Sequence, residues 1–286
     1  MEALHRAAEE FRKLDIDVLG ISGGDGTSGV TIGGFLHVYG SQALPRIALL
    51  RGGTGNTIAD SLGVQRGRPD SLLARLLNAY LSSRPLRDVP RYVMHVRGDN
   101  PRRLDRLPTG EVSHGFSFGT GVVCGYLREY YSGGAPDALV AAKTLLRAIG
   151  SSVVRGPMIR RVAQPYRGSV QLADGSEWPA RGYLAVAAGT IEQIGLGFTP
   201  FYRMRERPEA FQVLGIYAPP MGFVKQLDRI WRGRAMRPGH TYDVLTKGVR
   251  LESPDRPLTY MVDGDLYQCD GSIDVSLGPA VRIVLV

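Results

Sequence analysis

The sequence predicts a mixed fold: an N-terminal parallel α/β domain over residues 1–87, followed by a larger β-rich, sandwich-like domain over residues 88–286. Three observations predict it. Twice near the start, an apolar run ends in a glycine loop and passes into a helix-like stretch, the pattern of parallel strands joined by helical crossovers. From about Val89 onward that pattern stops, and short alternating runs take over, punctuated by turns such as Asp174-Gly175. A chain of 286 residues with 43% hydrophobic content is sufficient for one large or two modest globular domains.

The elements follow in order. Leu4, Ala7, Ala8, Phe11 and Leu14 share one face of an amphipathic N-terminal helix, with Glu9, Glu10 and Arg12 opposite. Leu14, Ile16, Val18, Leu19 and Ile21 read as a buried strand. Gly23, Gly24 and Gly26 then allow φ values and close approaches that side chains would forbid. A glycine-containing helix is expected over Ser28–Tyr39, and a second strand over Ile47–Leu50. Its loop, Arg51–Asn56, leads to a helix start at Thr57. Asp70 is placed to cap a helix running to Ser83, with Leu72, Leu76, Leu77 and Tyr80 inward. Strands are expected at Tyr92–Val96, Ser113–Phe118, Ser169–Leu172, Tyr183–Ala188, Phe211–Tyr217, Thr241–Leu245, Gly248–Leu251, Leu258–Val262 and Ala280–Val286. Two helices interrupt them. One, Ala135–Ile149, packs Leu139, Ala142, Leu145, Leu146 and Ile149 on the sheet. The other, Met221–Arg237, sets Phe223, Leu227, Ile230 and Trp231 beside a basic stripe of Lys225, Arg229 and Arg232.

The two glycine loops carry the chemistry. In an open parallel sheet, loops at the strand C-termini gather on one edge, so both can face one ligand. Successive glycine N–H groups cup phosphate oxygens, and a helix start favours an anion. The Asp25 carboxylate would repel phosphate unless a cation such as Mg²⁺ or its water shell stood between, so the combination suggests a nucleotide with its metal. A net charge of +8 favours polyanionic partners: nucleotides, anionic lipid surfaces or, less specifically, nucleic acid. Cys124 and Cys269, the only cysteines, are too few for a disulfide framework or a thiolate metal site and point to a reducing cytosol. His5, His37, His114 and His240 lie in unlike contexts and His95 falls mid-strand without a metal-ligand spacing partner, so no chemistry is assigned to any of them. No signal-peptide core or membrane-length apolar run is present.

Gly23-Gly-Asp-Gly-Thr27 followed by Gly53-Thr-Gly-Asn56 with Ala59 resembles the catalytic domain of the diacylglycerol, sphingosine and bacterial lipid kinases. NAD kinases share the first motif, and the second belongs to the lipid kinases. Tyr183 to Gly197 is similar to the family's small-residue strand and loop, and Val262-Asp-Gly-Asp265 is similar to its Asp-Gly-Glu. The family has an earlier strand and glycine loop, so the α/β domain reads as truncated at its start.

The resemblance implies ATP-dependent phosphoryl transfer to a lipid hydroxyl, with ATP and Mg²⁺ required. Gly23, Gly24, Asp25, Gly26 and Thr27, with Gly53, Thr54, Gly55 and Asn56, would hold the triphosphate. Asp25 would act on the metal, and Asp265 would orient the acceptor hydroxyl. Expected partners are ATP, a diacylglycerol- or sphingoid-like lipid or other hydroxylated acceptor, an anionic membrane touched peripherally from the cytoplasm, and a second copy of the chain. Nucleic acid is not among them. Two alternatives stand beside this reading: a kinase of the same fold for a non-lipid metabolite, and a non-catalytic relative. The chain departs from the family at Gly29-Val30 (family Asn-Glu), Thr57 (bacterial Asp), Gly121-Val-Val-Cys124 (family Gly-Phe-Asp-Ala) and around Glu206-Arg207-Pro208. Asp265 is also one methylene shorter than the family's Glu.

Overall fold

The computed structural model describes residues 2–104, 112–132, 137–255 and 257–285. It has the expected α/β beginning. Helix α1 (Glu2–Lys13) packs on α2 (Asp25–Tyr39), which is entered directly from β1 (Val18–Ile21). β2 (Arg46–Leu49) pairs in parallel with β1, Val18 opposite Arg46 and Ile21 opposite Leu49. The second glycine loop then leads into the short α3 (Thr57–Ser61) and on to α4 (Pro69–Leu81). Pro69, with φ preset and no N–H to satisfy, opens that helix after Arg68, and Asp70 does not cap it. Leu72 and Leu76 are buried, whereas Leu77 and Tyr80 face outward.

The remainder is β-rich, with β3 (Asp88–Gly98), β4 (Arg102–Arg103), β5 (Ser113–Gly115) and β6 (Ser117–Thr120) preceding a helical block. That block is α5 (Val122–Ser132), α6 (Ala138–Val153) and α7 (Pro157–Val162). There follow β7 (Tyr166–Leu172), β8 (Glu177–Tyr183), β9 (Ala185–Gly189), β10 (Phe211–Ile216), the short helices α8 (Pro220–Val224) and α9 (Leu227–Trp231), and β11 (Thr241–Thr246). The chain finishes with β12 (Gly248–Glu252), β13 (Leu258–Val262), β14 (Asp265–Cys269) and the long β15 (Ser272–Val284).

Two sheets result. One runs β1-β2-β15-β12-β7-β8, with β3 on β15 and β5 on β3; the other runs β11-β10-β9-β6-β13-β14-β4. β15 joins the two parts of the molecule. Its first half pairs with β12, and its second half reaches β2, placing Ile283 opposite Ile47. The space between the sheets is filled by Met94, Phe118, Tyr183, Phe211, Tyr260 and Ile273, all essentially inaccessible. A second core, built on Ile32, Phe35, Ile47 and Ile58, holds the helices of the N-terminal part to their sheet.

Three further expectations are corrected. The strand expected over Ser113–Phe118 is two strands, because the N–H groups of Phe116 and Ser117 turn aside to the Asp263 carboxylate. The helix expected over Met221–Arg237 is two single-turn helices broken at Gln226, a buried side chain whose Oε1 accepts the Arg237 N–H at 3.1 Å. Its Phe223, Leu227 and Ile230 pack inward, but Trp231 is 56% exposed. In α6, Leu139 and Leu146 point away from the protein, and the start expected at Ala135 lies outside the described residues.

Candidate active site

The site begins where the two glycine loops cross. A Cβ added to Gly53 would lie 2.1 Å from the Gly24 Cα, and one added to Gly52 would lie 2.9 Å from the Gly23 nitrogen. None of Gly23, Gly24, Gly26, Gly52, Gly53 and Gly55 has a left-handed φ, so these loops need glycine for close approach rather than for unusual dihedrals. The left-handed positions are Arg51 and Asn56, at φ 55° and 46°. Both are locked by their side chains. The Arg51 guanidinium pairs with Asp60 at 2.6 Å and donates to the Val64 carbonyl. Asn56 Oδ1 accepts from Gly53 N–H, and its amide donates back to the Gly53 carbonyl, so this side chain shapes the loop.

Asp25 ties the loops together. Its Oδ2 accepts from Thr57 N–H at 2.8 Å and its Oδ1 from Ile58 N–H at 2.9 Å. The anion at the start of α3 is therefore the protein's own carboxylate. The start of α2 differs. Gly24 occupies the cap position without a side chain to offer, leaving the first-turn N–H groups of Asp25, Gly26 and Thr27 without a side-chain cap. Thr27, Thr54 and Gly55 line this crossing with exposed surface. Among the described residues, no cluster of three or more His, Cys, Asp or Glu is placed to hold a metal ion. A Mg²⁺ held by protein side chains alone does not fit this donor set.

The second sheet brings in the turn between β13 and β14. Asp263, at φ 46°, is buried and accepts from Phe116 N–H, from Ser117 N–H at 2.8 Å and from Ser117 Oγ at 2.9 Å. Burial pushes its carboxyl up to about 7, the nearby Asp25 charge acts in the same direction, and the donors from Phe116 and Ser117 pull the other way. Gly29 and Gly115 leave the room it occupies: a Cβ on either would lie 3.3 or 2.7 Å from Asp263 Oδ2. Asp265 instead faces the glycine loops. Its Oδ2 lies 3.0 Å from where a Gly26 Cβ would be, and its Oδ1 is 2.7 Å from Arg103. Tyr131 donates to the Gly264 carbonyl at 2.9 Å, and burial, then the Asp265 charge, pushes its phenol up to about 12.

Opening off this cluster is a cavity of about 430 Å³. Asp25, Thr54, Thr57, Asp263 and Gly264 stand at its polar end. The rest of its wall comes from the helical block, α8 and α9, the second sheet and the segment between β9 and β10, including Val123, Leu127, Leu145, Phe198, Leu214 and Phe223. Sequence reasoning missed Arg103, Tyr131 and this wall. Arg103 sits on a two-residue strand that carries no local pattern. Val122–Ser132 did carry a signal, since Val123, Tyr126, Leu127 and Tyr130 recur at helical spacing.

Residues 2–84 match the family profile of the diacylglycerol kinase catalytic domain. The whole fold is similar to that of a diacylglycerol kinase from Bacillus anthracis, at 14% identity and a TM-score of 0.59, covering 99% of this chain and 81% of that one. Two further Bacillus anthracis proteins assigned as diacylglycerol kinases align at 16% and 15% identity with TM-scores of 0.62 and 0.61, each over 99% of this chain and over 81% and 82% of their own. No curated protein matches in sequence. The family match covers both glycine loops, so the resemblance they carry is borne out. Beyond residue 84 the likeness is one of fold, shared over 99% of the chain.

Proposed function

We propose that this protein is an ATP-dependent lipid kinase, transferring the γ-phosphoryl group of Mg·ATP to the hydroxyl of a diacylglycerol- or sphingoid-like lipid in the cytoplasm. The observation that carries this reading is the cavity: apolar along its length, and bounded at one end by Asp25 and Thr54 of the glycine loops and by the Asp263-Gly264 turn, which Asp265 directly follows. An acceptor with an alkyl tail would bury that tail there and leave its hydroxyl at the loops. A small polar metabolite would desolvate against apolar walls with few partners, which disfavours the non-lipid alternative.

In this reading the triphosphate lies along Gly23–Thr27 and Gly53–Asn56, with the uncapped start of α2 directed at it. Mg²⁺ arrives with the nucleotide as part of the substrate. Asp265, fixed by Arg103, accepts the acceptor's hydroxyl hydrogen bond and aims an oxygen lone pair at the γ-phosphorus. The new O–P bond forms as the bond to the β–γ bridging oxygen breaks, ADP leaves, and the hydroxyl proton passes to Asp265 and on to solvent.

Incubation with labelled ATP, Mg²⁺ and a lipid-extract panel, followed by phase partition, tests the proposal. Label in the organic phase is the expected result. Label on an aqueous metabolite would shift the reading to a non-lipid kinase. Mg·ATP binding without transfer to any acceptor would leave a non-catalytic nucleotide binder.

A further inference from the structure

Helix α6 is apolar on both sides. Ala141, Leu145, Ala148 and Ile149 line the cavity. On the opposite side, Leu139, Leu146, Val153 and Val154 are 70, 67, 64 and 75% exposed, four large apolar side chains on one stripe of positions i, i+7, i+14 and i+15. A helix with two apolar faces normally has both covered. The stripe is also basic. Lys143 and Arg147 lie on it, and Arg155 follows at its end, all three exposed, while residues 138–163 contain five Lys or Arg and no Asp or Glu. The acids closest in sequence are engaged: Asp137 caps the helix by accepting from Val140 N–H, and Glu129 pairs with Arg161.

We infer that the outer face of α6 docks on an anionic lipid bilayer, seating Leu139, Leu146, Val153 and Val154 among the acyl chains and Lys143, Arg147 and Arg155 among the head groups. Leucine and valine flanked by cations is the composition of a helix that lies in a membrane interface. The same helix is a wall of the apolar cavity, so docking there sets the cavity beside the bilayer. The inference deepens the proposed function and rests on it for the source of the acceptor. It also moves the membrane contact away from the Lys225, Arg229 and Arg232 stripe. There the Arg229 guanidinium donates to the Ala235 carbonyl, an exposed Asp228 intervenes, and Trp231 is the only large apolar side chain exposed on α9.

Co-sedimentation of the full chain with vesicles of phosphatidylcholine, with and without phosphatidylglycerol, tests the docking. Binding should require phosphatidylglycerol, weaken with salt, and fall about tenfold or more in the L139S/L146S variant, whose substituted positions face solvent and should leave the melting temperature unchanged. K143E/R147E should abolish the preference for anionic vesicles, while K225E/R232E should not. A Trp placed by L146W should shift its emission to the blue on binding. Equal sedimentation of wild type and L139S/L146S would overturn the inference. So would concentration-dependent dimerisation that L139S/L146S abolishes, without vesicle binding, because a second copy would then cover the face. Turnover on a short-chain, monomeric diacylglycerol, read in the same variants, separates the two claims: turnover without docking sinks only the inference, and docking without turnover on any lipid sinks only the kinase reading.

Discussion

The two ends of the cleft are built in opposite ways. At the polar end, backbone meets backbone: Gly24 against Gly53, the Asp25 carboxylate on two N–H groups of α3, and the Asp263 carboxylate on two N–H groups and a hydroxyl. Each of these contacts is directional, and a shift of a few tenths of an ångström breaks one. At the apolar end, helices α5 to α9 enclose space with side chains that need only be apolar and of suitable size. The difference teaches where change is tolerated. The end that would hold phosphate is fixed by geometry and leaves few substitutions open, while the end that would hold an acceptor tail can vary in shape without loss of the fold.

The largest effect should come from the loop crossing. Gly53→Ala puts a methyl 2.1 Å from the Gly24 Cα, against backbone rather than a side chain that could swing away, and is expected to cost about 3 kcal/mol or more. Gly150→Ala in α6 meets nothing within 4 Å and should instead stabilise by about 0.5–1 kcal/mol. Thermal melts of the two variants should move in opposite directions, and a Gly53→Ala protein as stable as wild type would dissolve the contrast.

Asp263→Asn comes next. An amide cannot accept all the donors that the carboxylate takes, and a buried donor left unsatisfied costs about 1–3 kcal/mol. The pH dependence sharpens this. The Asp263 carboxyl is raised in the folded state to about 7, from about 3.9 when unfolded, so between these values the folded chain binds the extra proton. Its contribution is full below the unfolded value and is lost as pH rises toward 7, at up to about 1.4 kcal/mol per unit. Urea denaturation at several pH values from 5 to 8 should show wild-type stability falling more steeply up to neutrality than that of Asp263→Asn. Parallel curves would mean that Asp263 does not titrate in this range.

Asp265, two residues away, should behave differently. Asp265→Asn is expected to retain Mg·ATP binding, followed by nucleotide-induced stabilisation, and to lower kcat about 10²-fold. Asp265→Glu, the family's residue, meets the start of α2, because Asp265 Oδ2 already lies 3.0 Å from the position of a Gly26 Cβ. Its turnover is therefore expected below wild type. Turnover of Asp265→Asn equal to wild type would remove this residue from the mechanism.

The smallest effect belongs to the apolar end. Ala141→Phe narrows the cavity from α6 and should raise KM for long-chain acceptors about tenfold, leaving short-chain acceptors and ATP unaffected. A uniform loss across chain lengths would show that the tail lies elsewhere.

The sequence by itself determined the elements that are local. The apolar runs ending in Gly23–Thr27 and Gly53–Asn56 announced the strands and their loops, because strand periodicity and glycine content are written in adjacent residues. It also singled out Asp25 and Asp265, through motifs whose order along the chain is legible. Only the tertiary structure decided what each carboxylate touches. Asp25 meets Thr57 and Ile58 across 32 and 33 residues, and Asp263 meets Phe116 across 147. Contacts over such separations depend on sheet register, and no local propensity encodes it. The same reason explains α6: Leu139 and Leu145 are equally apolar in the sequence, and only the packing against α5, α7 and α8 places Leu145 on the cavity while Leu139 faces out. β15 is the clearest case: the sequence suggested a terminal strand only from Ala280, whereas the strand begins at Ser272 and its pairing with both β12 and β2 joins the end of the chain to its beginning.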